Sequence, residues 1–98
     1  MTEKIYALLG FARKAGKLAI GTEAVFESVT KKRSKLVLIA ADISQKSAKE
    51  VRYICDKNNT RAVTLEIKID DVTAAIGRRA GILSVEDDGF ANAIAQNI

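Results

Sequence analysis

One unbroken apolar run, Leu36–Ala41, constrains the fold more than any other feature of this sequence. It lies between a basic cluster at 31–35 and the acidic residue Asp42. The run is too short for a typical helix and far too short to cross a membrane. Apolar runs of this length between polar boundaries are typical of strands that are buried on both faces of a sheet. The sequence therefore predicts an α/β fold built around this strand.

Helical and extended patterns alternate along the rest of the chain. Five helices are predicted: from Thr2 to Gly16, from Thr22 to the cluster 31–35, from Ser44 to Asn58, from Asp70 or Asp71 to Gly77, and after Asp87–Gly89. Four strands are predicted between them, at 17–20, 36–41, 62–67 and 81–85. The connections are short and hold no Pro-rich or Ser-rich linker. This pattern predicts one domain over residues 1–98, with helices on both faces of a four-stranded sheet.

Small polar residues predict where the helices begin, and apolar spacing predicts which side chains face the core. Thr22, Ser44 and either Asp70 or Asp71 are predicted N-caps. Phe90, Ala93 and Ile94 are predicted to face inward from the last helix. Cys55 follows Val51 by one helical turn, so it is predicted to be a core side chain rather than a nucleophile.

The residue inventory argues against several classes of function. The chain has no histidine and one cysteine, which excludes Ser-His and Cys-His catalysis, a zinc site and an internal disulfide. The segment Gly10–Lys17 has part of a phosphate-loop spacing, but it follows a helix and continues with Leu18 instead of Ser or Thr. We therefore expect no enzyme activity, cofactor, metal or small-molecule substrate. The lone cysteine and the lack of a spanning segment predict a cytoplasmic protein without a membrane partner.

Positive charge is concentrated in the first third of the chain. The net charge is +4, and residues 1–35 contain eight basic and three acidic side chains. The remaining residues contain eight basic and nine acidic ones. This asymmetry predicts a polyanionic partner for the first third of the chain. A solvated basic surface without a partner fits the charge equally well.

Two segments are candidates for RNA contacts. Gly21, Thr22 and Glu23 form a predicted helix N-terminus, where free backbone N–H groups suit phosphate, and Lys14 and Lys17 lie just upstream. The second segment, Arg78-Arg79-Ala80-Gly81, is a loop with two arginines, and Lys68 joins the predicted site. An ordinary helix start and a solvated loop are the structural alternatives. With only three Phe and two Tyr in the chain, the sequence favours recognition of folded RNA over base stacking.

Four segments in this order resemble a known family over nearly the whole chain. They are Lys17–Thr22, Ser34–Asp42, Ala75–Gly77 and Val85–Ala91. The chain is similar to the kink-turn-binding ribosomal-protein family, and within it to the bacterial YlxQ-like branch. The resemblance implies a three-layer α-β-α sandwich with a mixed sheet. It also implies a translation-associated protein with the ribosome as a partner. Such a protein recognises a kink-turn, an internal RNA loop with sheared G·A pairs and a sharply bent backbone.

The resemblance also implies roles for individual residues. Gly21 would let the backbone approach the RNA, side chains of the following turn would read the G·A pairs, and the loop 78–82 would cover an extruded base. Three positions depart from strong kink-turn binders: Glu23 replaces asparagine, Ala24 replaces glutamate, and Glu27 replaces a base-reading lysine. The two carboxylates support an alternative, a protein-interaction module of the same fold that has lost RNA specificity.

Overall fold

Five helices and four strands alternate along residues 2–98, which are the residues described by the computed structural model. Met1, part of the predicted 1–98 domain, lies outside the described residues. The helices are α1 (Thr2–Lys14), α2 (Thr22–Thr30), α3 (Gln45–Lys57), α4 (Ile69–Ile76) and α5 (Asp88–Ala95). The strands are β1 (Leu18–Ile20), β2 (Leu36–Ile39), β3 (Ala62–Thr64) and β4 (Ile82–Val85). The predicted order of elements is confirmed.

The four strands form one mixed sheet in the order β1-β4-β2-β3. Strand β4 pairs antiparallel with both β1 and β2, and β2 pairs parallel with β3. The predicted strands at 36–41 and 62–67 are too long. The chain leaves the regular ladder early there, although Leu65 N still donates to Ile39 O at 2.7 Å and Ala41 N to Ile67 O at 2.8 Å.

Helices cover both faces of this sheet, as predicted. Along β2, Leu36 and Leu38 belong to the core on the side of α1, α4 and α5. Val37 and Ile39, which alternate with them, belong to the core formed with α2 and α3. All four side chains are at most 1% exposed. The apolar run therefore supplies both cores at once, which is why it lacks the polar alternation of a half-exposed strand.

The helix starts agree only partly with the predicted N-caps. Ser44 caps α3 as predicted, since its side chain accepts a hydrogen bond from Ser47 N at 3.2 Å. The prediction for Thr22 is wrong, because Gly21 is the N-cap of α2 with φ 93° and Thr22 is already helical. A positive φ of this size suits glycine, which has no Cβ to clash.

The prediction of Asp70 or Asp71 as the N-cap of α4 is also wrong. Lys68 holds that position, and the Asp71 carboxylate reaches back to accept from Lys68 N at 3.0 Å. This hydrogen bond and a second one from the Tyr6 hydroxyl at 3.0 Å lower the pKa of Asp71. An acidic residue in the first turn thus satisfies the helix start from inside the helix.

The remaining core predictions are largely confirmed. Cys55 is fully buried, and burial raises the pKa of its thiol to about 11, which makes it a poor nucleophile at neutral pH. In α5, Ile94 is buried as predicted, and Ala91 is buried beside it. Phe90 and Ala93 are only half-buried.

Strand direction gives the molecule two distinct ends. The Gly21 end is where β1, β2 and β3 finish and β4 begins, and the Lys35 end is the opposite one. The Gly21 end comprises residues 21–24, 40–46, 65–70 and 77–81. The Lys35 end comprises residues 14–17, 30–35, 56–61 and 86–88.

Candidate nucleic-acid interface

The start of α2 lies at the Gly21 end and is open. Gly21 N donates to Ile82 O at 3.1 Å, which places the start of α2 against the start of β4. Among the described residues, no side chain caps this helix start, and Thr22, Glu23 and Ala24 are exposed. The first N–H groups of a helix lack partners within the helix and carry partial positive charge. This turn can therefore accept a phosphate or a base edge through its backbone.

The loop between α4 and β4 lies beside this turn and is held in place by its glycines. Gly77 ends α4 in the left-handed conformation at φ 73°. Gly81 is packed so closely that a Cβ there would lie 2.6 Å from Ile43 Cδ1 and 3.0 Å from Ile69 Cγ1. Its carbonyl also accepts from Ala40 N at 2.8 Å. Loops from three connections thus meet around Gly81 and fix the shape of this end.

The predicted contact residues of this loop have different environments. Arg78 and Arg79 are exposed, and Arg79 Nη1 forms an ion pair with Asp70 Oδ1 at 2.9 Å. Both partners are largely solvent-exposed, so the pair is weak and easily exchanged for a phosphate. Ala80 is 8% exposed and belongs to the core, so it supports the loop and leaves only its backbone for contacts.

Lys68 lies at the same end, and the residue after it is hydrogen-bonded to Asp42. It precedes α4, whose first amide, Ile69 N, donates to Asp42 Oδ1 at 2.8 Å. The Lys68 side chain is exposed. The structure therefore places Gly21, Thr22, Glu23, Lys68 and the loop 78–81, all from the predicted site, at one end of the sheet, with Gly21 after edge strand β1 and Lys68 after the opposite edge strand β3.

The structure does not bring Lys14 and Lys17 to this end. Lys17 O accepts from Glu86 N at 2.8 Å, just before β1, whereas Gly21 follows β1. The three residues of β1 lie between Lys17 and Gly21, and the four extended steps from one to the other span about 13 Å. Lys14 is the last residue of α1 and lies on the turn that leads to Lys17. The sequence-based expectation that both lysines share a surface with Gly21 fails because β1 runs away from them.

Glu27 is directed away from the Gly21 end. Its Oε1 lies 3.0 Å from Arg33 Nη2 and 4.0 Å from Lys31 Nζ. Hydrogen bonds from Arg33 to Glu27 and to Glu86 raise the pKa of the Arg33 guanidinium. The carboxylate that the sequence placed against an RNA is thus balanced by cations at the Lys35 end.

The sequence analysis assigned no RNA contact to the loop after β2. The structure places Asp42, Ile43 and Ser44 at the Gly21 end, where they contact the starts of α3 and α4 and the Gly81 backbone. A signal was present, because this loop follows the most buried strand, and strands that run parallel to it end at the same edge. With these residues included, the Gly21 end is electrically balanced. Its charged side chains are Lys46, Lys68, Arg78 and Arg79 against Glu23, Asp42, Glu66 and Asp70.

Two other features, a metal site and a membrane-spanning helix, are absent from the described residues. Across residues 2–98, no group of His, Cys, Asp and Glu side chains is arranged to hold a metal ion. Within that range, no helix combines the length and apolar character needed to span a bilayer.

Comparisons with known proteins identify the family. The family described as ribosomal protein L7Ae/L30e/S12e/Gadd45 matches residues 3–94. RNA-binding protein YlxQ of Bacillus subtilis (strain 168) is 33% identical over 92 residues, which are 89% of this chain and 87% of that protein. These names belong to RNA-binding and ribosomal proteins rather than enzymes, which supports the prediction of a non-enzymatic chain.

Solved structures share the fold. A protein with unknown function from Bacillus halodurans C is 26% identical, with a TM-score of 0.89 over 95% of this chain and 94% of that one. The 15.5kD RNA binding protein of Giardia lamblia is 17% identical, with a TM-score of 0.78 over 96% of this chain and 81% of that one. The predicted resemblance to the YlxQ-like branch is thereby confirmed. The chain belongs to the ribosomal protein L7Ae/L30e/S12e/Gadd45 family.

Proposed function

We propose that residues 1–98 act as one RNA-binding unit that recognises a kink-turn-like RNA through the Gly21 end. The observation that carries this proposal is the close junction of the uncapped α2 start with the 77–81 loop, joined by the Gly21–Ile82 hydrogen bond. Family membership and the RNA-binding name of a relative with 33% identity support it. The ribosomal description of the family supports a cytoplasmic role in translation, on the ribosome or beside it.

The arrangement suits a bent RNA better than a straight one. Backbone N–H groups of the α2 start can meet base edges in a widened groove, and Arg78 and Arg79 can cover phosphates or an unstacked base. The Gly21 end has little net charge, so affinity there depends on shape rather than on general attraction to phosphate. A kink provides the shape that a uniform duplex lacks.

An electrophoretic titration against a kink-turn RNA and a straight duplex of equal length tests the proposal. We expect the kink-turn to bind at least about tenfold more tightly, which corresponds to about 1.4 kcal/mol. Arg78→Ala/Arg79→Ala should reduce this preference, whereas Lys49→Ala on the exposed face of α3 should leave it unchanged. Equal affinity of the wild-type protein for the two RNAs would refute the proposal.

The balanced charge of the Gly21 end also favours a second candidate function. With Glu23 exposed on the first turn of α2, the same surface can bind a protein instead of RNA. This candidate predicts a stoichiometric protein partner that stays bound after nuclease treatment and is lost with Glu23→Lys. Release of all partners by nuclease would rule it out.

A further inference from the structure

The Lys35 end carries a basic surface that the Gly21 end does not use. We define the Lys35 patch as five exposed residues: Lys31, Lys32, Lys35, Lys57 and Arg61. Two connections supply them: Lys31, Lys32 and Lys35 come from the connection between α2 and β2, and Lys57 and Arg61 flank the connection between α3 and β3. Lys17 lies at the border of the patch, across Glu86 from Lys35, since Glu86 N bonds to Lys17 O and Lys35 N bonds to Val85 O.

Hydrogen bonds fix the parts of this patch relative to one another. Lys32 Nζ donates to Asn58 O at 2.9 Å, which ties the turn after α2 to the end of α3. Val37 N donates to Arg61 O at 2.8 Å, which holds Arg61 beside the start of β2. An ammonium group that donates to a carbonyl keeps its charge and its other two N–H bonds. The backbone segments that carry the patch are therefore held together, and the patch is positively charged.

Nearby carboxylates do not cancel this charge. The acidic residues around the Lys35 end are Glu27, Asp56, Glu86, Asp87 and Asp88. Glu27 and Glu86 both contact Arg33, which lies outside the patch as defined. Within the patch, Glu27 reaches only Lys31, at the longer distance of 4.0 Å and with both side chains exposed. Asp87 caps α5 through Phe90 N at 2.9 Å, so it belongs to the layer on the other face of the sheet. The whole Lys35 end has eight basic side chains against four acidic ones, and Glu27 of α2 adds a fifth carboxylate from just outside it.

The make-up of the patch favours nucleic acid over a protein partner. The large apolar side chains exposed in residues 2–98 are Phe11, Tyr53 and Ile98. Only Tyr53 is near the patch, one helical turn before Lys57. Protein interfaces have an apolar, aromatic-rich centre and few lysines. A surface of lysines and arginine with a single bordering aromatic suits the phosphate backbone of a duplex.

We propose that the Lys35 patch binds the phosphate backbone of a second RNA helix while the Gly21 end holds the kinked one. This inference rests on the proposed function for the first of the two RNAs. The two surfaces lie at opposite ends of the sheet, so both can be occupied at once. The protein then bridges two RNA helices, one chosen by shape and one held by charge.

A sandwich capture assay tests this proposal. Immobilised kink-turn RNA is saturated with protein, washed, and offered a fluorescent straight duplex at rising salt. We expect the wild-type protein to capture the duplex. Lys35→Glu/Arg61→Glu should reduce capture by about tenfold or more, with a shallower dependence on salt, because each phosphate contact releases counterions. Lys4→Glu/Lys49→Glu makes the same charge change on α1 and α3 outside the patch and should reduce capture by less than about twofold.

The outcomes separate the two proposals. Retention of the kink-turn with equal capture by the wild type and the Lys35→Glu/Arg61→Glu variant overturns the second site, as does equal loss in both double variants. If the wild-type protein does not bind the immobilised kink-turn, the proposed function fails. In that case, the wild-type protein and the Lys35→Glu/Arg61→Glu variant are each titrated with the straight duplex. Equal affinities of the two proteins for the duplex overturn the proposed second site. Circular dichroism checks that both variants are folded.

Discussion

The two ends of the sheet combine charge and packing in opposite ways. The Gly21 end has four basic and four acidic side chains, and loops from three connections pack tightly around Gly81. The Lys35 end has eight basic and four acidic side chains, most of them on exposed turns. Contacts to phosphate supply affinity for any nucleic acid, whereas a fixed shape discriminates among them. Under the two proposals above, the Gly21 end selects an RNA by its shape and the Lys35 end attracts one by its charge.

The largest expected effect comes from disturbing the packing of the Gly21 end. Gly81→Val should lower the free energy of unfolding by about 3 kcal/mol, the upper end for overpacking, because its side chain would meet Ile43 and Ile69. Urea unfolding measures this change. Gly10→Ala in α1 is the control, since its Cβ would lie at an ordinary 3.5 Å from Ala75 O and should raise stability by up to about 1 kcal/mol. A stable Gly81→Val variant would show that the end is looser than described.

The second largest expected effect comes from a buried pair of serines between α2 and β4. It tests whether stability can change while the RNA preference stays the same. Ser28 and Ser84 are fully buried, and their hydroxyl oxygens lie 2.8 Å apart. Ser28→Ala or Ser84→Ala leaves the other hydroxyl without this partner and should cost about 2 kcal/mol. The double variant should cost less than the sum of the two. Thermal unfolding tests this, and the preference for kink-turn over duplex should stay constant throughout; additive losses would contradict a direct hydrogen bond.

The smallest expected effect comes from neutralising one carboxylate at each end of the sheet. Asp70→Asn removes the partner of Arg79, and because the ion pair is exposed, the stability should change by less than about 1 kcal/mol. Affinity for the kink-turn should rise severalfold, since Arg79 is released and one negative charge is lost. Asp56→Asn makes the same change at the Lys35 end and should raise affinity for both RNAs alike. If the two variants change the preference for the kink-turn over the straight duplex equally, the Gly21 end and the Lys35 end do not differ in their contribution to recognition.

The sequence was informative where local chemistry decides the structure. The Leu36–Ala41 run predicted a strand buried on both faces because no other short element is apolar throughout, and β2 is that strand. Ser44 predicted a helix start because its hydroxyl can accept a backbone N–H, and it does. The prediction for Thr22 failed because the preceding glycine can adopt φ 93° and begin the helix one residue earlier.

Positions that depend on distant pairing were beyond local patterns. Lys14 and Lys17 are close in sequence to Gly21, but strand β1 separates them, and its pairing partner β4 begins more than sixty residues later. Glu27 was expected to face the RNA, yet Arg33 and Lys31 hold its carboxylate at the other end. This contact is not a distant one, since Lys31 follows Glu27 by four residues, a spacing at which opposite charges meet along a helix.

The edges of the sheet affect how copies of this protein behave at high local concentration. Strands β1 and β3 are the edge strands, and each is only three residues long. Lys17 precedes one of them and Arg61 the other, and both side chains are exposed. A neighbouring chain that added a strand would gain few hydrogen bonds and would bring like charges together. The molecule can therefore be crowded along a nucleic acid with little tendency to aggregate through its sheet.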